Sequence, residues 1–528
     1  MHGETLWDLL ERRVDATPDA LLAVDEDMRT LTFAEFWSEA ELAAAGLASA
    51  GVGADDVVSW QLPTWIESLV LTAALSRLQV VQNPILPIYR DREVGFITEQ
   101  CGARLLVVPS QWRGFDHESM ATGIAEHQGT GMRVLVSDRA LPQGDPTTLP
   151  PLPERSDPDD QPVRWLFYTS GTTADPKGAQ HTDATIAAAA RGMAGRLALI
   201  EADRAALVFP FTHIGGIVWL FSSLLSGCAL ILSETFDPDE TPEVLSREGV
   251  TLAGSGTVFH QAYLAYQRRH LHPVFPNVRA FPGGGAPKPP TIVGEMREVF
   301  DAPVLAGYGL TEAPILTMAD VSDPDADLAV SEGRAVPGVE LRIVRLHEGV
   351  DDEMPGGLPG SAADVGVDAA VGEDGEIRAR GPQLMRGYSD PLLEFDAFDS
   401  DGWFRTGDLG HLDDRGNLVV TGRLKDVIVR KGENVSAKEV EDLLYLHPEV
   451  ADVAVIGLPD PDAGERVCAV VVSVDPDDPI TFDEMVEHLR AAGLNQRKMP
   501  ERLEAVPSLP RNPAGKVLKH VLRDEFKG

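Results

Sequence analysis

Eleven residues, Tyr168-Thr169-Ser170-Gly171-Thr172-Thr173-Ala174-Asp175-Pro176-Lys177-Gly178, carry four Ser and Thr hydroxyls, two glycines and one lysine. That composition suits a polyphosphate. Glycines let backbone N–H groups approach an anion, hydroxyls donate further hydrogen bonds, and Lys177 supplies a point charge. The spacing is not that of a Walker A loop, and Pro176 sits beside the lysine. Standing alone, such a segment serves equally well as a polar turn after a strand. Further segments downstream change that balance.

Gly283-Gly284-Gly285-Ala286-Pro287 can lie flat against a ring, although a plain turn reads the same way. Gly307-Tyr308-Gly309-Leu310-Thr311-Glu312-Ala313 follows an apolar run, Pro303 to Leu305. It puts an aromatic, a hydroxyl and a carboxylate at a strand end, where open α/β sheets bind ligands. Glu312 is a natural Mg²⁺ ligand beside a triphosphate, because Mg²⁺ takes one or two carboxylates plus phosphate oxygens. Tyr308 could stack on a base or be a core tyrosine. Thr406-Gly407-Asp408 offers a carboxylate that suits two adjacent ribose hydroxyls. Gly422-Arg423-Leu424-Lys425-Asp426 and Lys431-Gly432-Glu433-Asn434 follow, and Pro510-Arg511-Asn512-Pro513-Ala514-Gly515-Lys516 holds one lysine in a Pro/Gly-flanked turn.

The elements that must position these groups read as alternating strands and helices. Leu6, Leu9, Leu10 and Val14 recur at helical spacing, and Thr32 to Glu35 forms a capping box for a helix running to about Ser49. Val57 to Trp60, Leu105 to Val108, Val163 to Phe167 and Ala229 to Leu232 read as strands; Trp65 to Leu78, Glu93 to Gln100, Thr182 to Leu199 and Gly215 to Leu225 read as helices. Such alternation predicts a parallel sheet with helices on its faces. Residues 346–372, rich in Gly, Asp and Ala, read as a solvated acidic insertion. After Lys425 the pattern restarts as a compact α+β unit. The expected division is 1–424 and 425–528.

The chain has 528 residues, with 45 Lys and Arg against 83 Asp and Glu, a net charge of −38. This argues against a polyanionic partner such as nucleic acid or an anionic membrane surface, but not against ATP, for which a few local cations suffice. Three scattered cysteines, Cys101, Cys228 and Cys468, point to free thiols in a reducing compartment. No stretch reads as a membrane span, and Met1-His2-Gly3-Glu4 lacks the basic and apolar regions of a signal peptide. A cytoplasmic location is expected.

Taken in order, YTSGTTADPKG, GYGLTEA, GWFRTGDLG, GRLKDVIVRKGEN and RNPAGK resemble the acyl-adenylate-forming superfamily, and within it the stand-alone acyl-CoA synthetases. The resemblance covers essentially the whole chain. It implies a large N-terminal domain of two α/β sheets and a distorted β-barrel, with a small mobile C-terminal α+β lid. It implies ATP, Mg²⁺ and coenzyme A, a carboxylic acid substrate, and a two-step reaction through acyl-AMP. A homodimer is left open.

By the same resemblance, Thr169, Ser170, Gly171, Thr172, Thr173 and Lys177 hold the β- and γ-phosphates. Gly284, Gly285, Ala286 and Pro287, with Tyr308 and Gly309, enclose adenine. Thr311 touches the α-phosphate, Glu312 ligates Mg²⁺, and Asp408 binds the ribose with Arg423 nearby. Lys516 bridges the acyl carboxylate and the α-phosphate. Lys425 is the hinge, and Lys431 and Gly432 face the coenzyme A tunnel. His213, Gly216 and Ser255 line the acyl pocket, although His213 could equally be a hydrogen-bonded core histidine. Peptide-synthetase adenylation domains place an aspartate where this chain has Thr212, so an α-amino acid substrate is disfavoured. An aliphatic or alicyclic acid is expected. A carrier-loading acyl-AMP ligase and a catalytically silent adenylate-binding protein are the alternatives.

Overall fold

The computed structural model describes the chain apart from residues 1–4, 153–156, 170–175, 286–287, 290, 346–365, 431–432, 461–462, 512–515 and 528, and apart from the side chains at 159, 395, 433 and 434. Ser170, Gly171, Thr172, Thr173, Ala286, Pro287, Lys431, Gly432 and most of the acidic insertion therefore lie outside the described residues.

A seven-stranded sheet runs in the order Gly387–Tyr388, Lys177–His181, Trp165–Thr169, Val81–Pro84, Val57–Trp60, Leu105–Val108, Arg133–Val136. Its last five strands are parallel; the first two are antiparallel additions. The helix Ile66–Arg77 is buried at every position except Glu67, which explains its lack of a polar stripe. A second sheet orders Arg204–Leu207, Ala229–Leu232, Leu21–Val24 and Thr30–Thr32. Parallel bridges through Leu252 connect it to a third, Phe281–Gly284, Val304–Tyr308, Thr317–Met318 and Arg334–Ala335. The sequence reading missed Leu21–Val24 and Thr30–Thr32, because three or four residues between two helices carry too little periodicity.

Glu340–Val344, Gly375–Arg380, Phe404–Leu412 and Leu418–Arg423 form a four-stranded antiparallel sheet. This is where the distorted barrel was expected; among the described residues its two outer strands do not pair with each other. Beyond it, Glu433–Ser436, Val427–Arg430, Gly464–Ser473 and Val450–Asp460 pair antiparallel, and Arg502–Ala505 adds in parallel. The buried side chains of this C-terminal domain, Ile428 to Leu494 and Ala454 to Leu522, cluster separately from the N-terminal core.

Local signals hold where capping chemistry is explicit. Thr32 and Glu35, and Thr481 and Glu484, form reciprocal capping boxes. Ser436 accepts from the Glu439 backbone, but the return bond is not formed.

Candidate active site

The strands Trp165–Thr169 and Lys177–His181 pair antiparallel, with Thr169 opposite Lys177. Thr169 and Lys177 therefore stand side by side at one end of the strand pair. Gly284 ends its strand opposite Gly307; a Cβ on Gly284 would sit 2.7 Å from the Gly307 carbonyl oxygen. Gly309 turns the chain so tightly that a Cβ would lie 2.5 Å from the Ile315 nitrogen. That turn places Thr311 and Glu312. Leu310 and Ala313 exchange backbone hydrogen bonds of 3.1 and 3.2 Å across it.

Tyr308 is both of the things expected of it. Its ring is 8% exposed and packs in an apolar cluster, yet it lines the cleft, and its hydroxyl donates to Asp408 Oδ2 at 2.8 Å. Asp408 lies opposite Arg423 across an antiparallel pair, and Arg423 Nε meets Asp408 Oδ1 at 2.7 Å. Asp408 is 2% exposed, so both oxygens are committed before any ribose arrives. Each oxygen has a second lone pair, so the engaged carboxylate can still accept.

Two neighbours hold the 311–312 turn. The buried His181 binds the Thr311 carbonyl through Nε2 at 2.8 Å. Burial pushes the imidazole pKa down to about 4, so the ring is neutral and Nε2 carries the proton it donates. Tyr388 donates its hydroxyl to Glu312 Oε1 at 2.9 Å, and Met385 N–H donates to the Glu312 carbonyl at 2.8 Å.

From the C-terminal domain, Lys516 enters the same cleft. It lines one cavity with Gly285, Tyr308, Gly309, Asp408, Arg423 and Lys425. Burial is the main force lowering its pKa to about 7; Arg423 and Lys425 add to the fall, and Asp408 and Asp426 oppose it. Thus Gly285, Tyr308, Gly309, Asp408, Arg423, Lys425 and Lys516 are brought together. Thr169, Lys177, Thr311, Glu312, His213, Gly216 and Ser255 are not in that lining.

His213 is the N-cap of the helix Ile214–Ser226, its Nδ1 accepting from Gly215 N–H at 3.0 Å. It is also edge-on to Phe209, with ring centroids 6.1 Å apart. Burial lowers its pKa to about 4, so it stays neutral. Gly216 is required by close approach, since a Cβ would lie 2.4 Å from the Phe211 carbonyl oxygen. Ser255 precedes the helix Thr257–Arg268, whose Thr257, Val258 and Gln261 line the cleft. Sequence reasoning missed those three, together with His181 and Tyr388. Tyr388, in Arg386-Gly387-Tyr388, carried no local mark because its partner Glu312 lies far away in the sequence.

Paired α/β sheets, a glycine-lined strand end and a C-terminal domain that delivers a lysine over it define the class of adenylate-forming enzymes. Residues 10–389 match the family described as AMP-binding enzyme, and residues 439–516 match the AMP-binding enzyme C-terminal domain. The medium-chain fatty-acid–CoA ligase of Escherichia coli (strain K12) is 28% identical, over 99% of this chain and 90% of its own. A salicylyl-CoA synthase / salicylate adenylyltransferase of a Streptomyces species is 30% identical, over 100% and 94%. The ATP-bound crystal structure of MatB from Rhodopseudomonas palustris superposes with a TM-score of 0.86 at 26% identity, covering 100% of this chain and 99% of that one. The chain belongs to the AMP-binding enzyme family.

Proposed function

We propose that the protein is an ATP-dependent carboxylic acid:CoA ligase. An acid carboxylate oxygen attacks the α-phosphorus of ATP, the bond to the bridging oxygen breaks, and pyrophosphate leaves. The coenzyme A thiolate then attacks the acyl carbon of acyl-AMP, and AMP departs with the electron pair. The observation that carries this reading is the shared lining of one cleft by Tyr308, Asp408 and Lys516, contributed by both domains.

In the first step Lys516 lies between two anions and offsets the charge that develops on the oxygens around phosphorus. Asp408, with Arg423 behind it, takes the ribose hydroxyls. Gly284, Gly285 and Tyr308 form the adenine slot, and Thr169 and Lys177 anchor the phosphate loop. Glu312 is the proposed Mg²⁺ ligand. The donor set fits that ion: Tyr388 occupies Oε1, and Oε2 has no partner among the described residues. Mg²⁺ needs no protein cage, since it takes one or two carboxylates together with phosphate oxygens. When bound, Mg²⁺ neutralises phosphate charge during transfer.

The proposed division into 1–424 and 425–528 puts Lys425 in the short turn Leu424–Asp426 that leads from the strand Leu418–Arg423 to Val427–Arg430. We assign it as the hinge about which residues 426–528 rotate between steps, moving Lys516 away and bringing the 431–432 turn to the thiol. Lys425→Pro should spare pyrophosphate release and abolish thioester formation; normal thioester yield would refute the hinge.

The acyl end favours an apolar acid without an α-amino group. Thr212 is 2% exposed and its hydroxyl has no partner among the described residues. A buried ammonium would find no counter-charge there. Aliphatic, alicyclic and aryl acids all meet this requirement. A panel of such acids, assayed for pyrophosphate release and then for transfer to coenzyme A or to a phosphopantetheinylated carrier, tests the whole reading. Release with transfer to coenzyme A is expected. Transfer to the carrier alone would make the protein a carrier-loading ligase, and no release with any acid would make it a silent binding protein.

A further inference from the structure

We infer that Tyr388 is a positioning residue that sets how Glu312 meets a divalent cation, and that it ties this carboxylate to the phosphate loop through Lys177. The inference rests on the proposed role of Glu312.

Tyr388 comes from the short edge strand Gly387–Tyr388, added to the outer strand Lys177–His181. Ala179 is its register partner. Side chains two residues apart share one face of a strand, so Lys177 projects on the same side as Tyr388. Accordingly, Lys177 Nζ lies 5.6 Å from the centre of the Tyr388 ring. The tyrosine is 7% exposed, and its hydroxyl donates to Glu312 Oε1 at 2.9 Å. One side chain thus touches the cation at the base of the phosphate loop with its ring and the proposed metal carboxylate with its hydroxyl.

The backbone around this junction is fixed on both sides. Met385 N–H donates to the Glu312 carbonyl, and Arg386 N–H donates to the Gln180 carbonyl, both at 2.8 Å. The Glu312 backbone is therefore set without Tyr388, and what the hydroxyl adds is the orientation of the carboxylate. With Oε1 held by the hydroxyl, Oε2 would be left for a metal. Hydrogen bonds to a ligating carboxylate orient it, and their loss typically weakens metal binding by about 10- to 100-fold.

The test measures binding as well as turnover. Mn²⁺ replaces Mg²⁺ as a paramagnetic probe, and its binding to the full-length enzyme with a non-hydrolysable ATP analogue is followed by electron paramagnetic resonance. Analogue binding is measured in parallel in EDTA by calorimetry. Tyr388→Phe keeps the ring over Lys177 and removes only the hydroxyl. It should weaken Mn²⁺ binding by about tenfold or more while leaving metal-free analogue binding unchanged. Glu312→Gln should weaken Mn²⁺ binding too, and the double variant should lose no more than Glu312→Gln alone, the signature of two residues acting as one. Tyr388→Leu should weaken both measurements, because the ring over Lys177 goes as well.

Unchanged or tighter Mn²⁺ binding in Tyr388→Phe, with Glu312→Gln still impaired, overturns the positioning role alone. Equal losses with and without metal in Tyr388→Phe also overturn it, because they report a general packing defect. If Glu312→Gln itself binds Mn²⁺ normally, the Glu312 reading fails and the inference falls with it.

Discussion

The two walls of the cleft are prepared in opposite ways. On the N-terminal side Asp408, in the cleft wall, holds Tyr308 and Arg423, and beside the cleft Glu312 Oε1 holds Tyr388 and the Thr311 carbonyl holds His181. On the C-terminal wall the cations next to Lys516 are spent within their own surroundings. Lys519 pairs with Glu441 at 2.7 Å, Arg523 with Asp426 at 2.9 Å, and Arg511 with Asp452 at 2.6 Å. What marks Lys516 is its pKa, lowered to about 7 chiefly by burial, with Arg423 and Lys425 adding to the fall and Asp408 and Asp426 opposing it. One wall is electrostatically satisfied before ligand arrives. The other presents a charge that an incoming anion would relieve.

The strongest way to break that contrast is to remove the lysine. Lys516→Ala should slow adenylate formation by about 10²- to 10³-fold, the usual loss for one preorganised electrostatic group. Conversion of supplied acyl-AMP to acyl-CoA should stay near wild type, because the role proposed for the lysine is confined to the first step. Single-turnover assays of each half separate the two, and equal damage to both would refute the assignment.

On the satisfied wall a comparable truncation should act through stability as well. Asp408→Ala strands the Tyr308 hydroxyl, which is buried, and frees Arg423, which is about one-third exposed. Leaving a buried donor unpaired costs about 1–3 kcal/mol, and the part-exposed arginine recovers some of its loss from water. The melting temperature and ATP affinity should therefore fall together, whereas Lys516→Ala should lower the first-step rate and ATP affinity without lowering the melting temperature. Calorimetry on both variants distinguishes these outcomes, and an unchanged melting temperature for Asp408→Ala would show that the wall is not held as described.

How much of this was legible beforehand follows the same division. The sequence displayed Asp408, Arg423 and Lys516 because each stands in a glycine- or proline-marked turn. The hairpin register that places Asp408 opposite Arg423 could not be read, since pairing across strands leaves no local trace. His181 and Tyr388 were missed for a related reason: each is an ordinary strand residue until tertiary packing brings Thr311 and Glu312 to it. The strands Leu105–Val108 and Ala229–Leu232 were found because full burial makes them continuous apolar runs, and Val57–Trp60 because only Ser59 interrupts one. His213 shows the limit. The sequence offered a pocket residue or a core residue, and the structure adds a third role, as the cap of the helix that follows it.

Acidity sharpens the comparison without any mutation. The Lys516 pKa is lowered to about 7, so in the ligand-free closed form the lysine loses its proton as pH rises through that value. A free-enzyme pKa appears in the pH dependence of kcat/KM, and a bound-state pKa in that of kcat. The kcat/KM for ATP should therefore decline above about pH 7, by about tenfold per unit at the limit. The kcat should hold to higher pH, because bound phosphate restores the charge. Amine-reactive labelling of Lys516 at neutral pH, suppressed by ATP, gives an independent reading. If kcat and kcat/KM decline at the same pH, ATP does not relieve the lysine.

The smallest expected effect comes from the acyl end, where neither wall supplies a partner. The Thr212 hydroxyl is buried without one among the described residues. Thr212→Val removes that hydroxyl at similar size and takes away an unsatisfied group whose burial costs about 1–3 kcal/mol. The variant should be equally stable or more stable by up to about 1 kcal/mol, read as a small rise in melting temperature. It should keep activity on plain aliphatic acids, because these offer the hydroxyl nothing. An acid whose turnover falls in the variant would be one that carries its own polar group to Thr212. The substrate would then lie among hydroxylated or keto acids, not plain aliphatic ones.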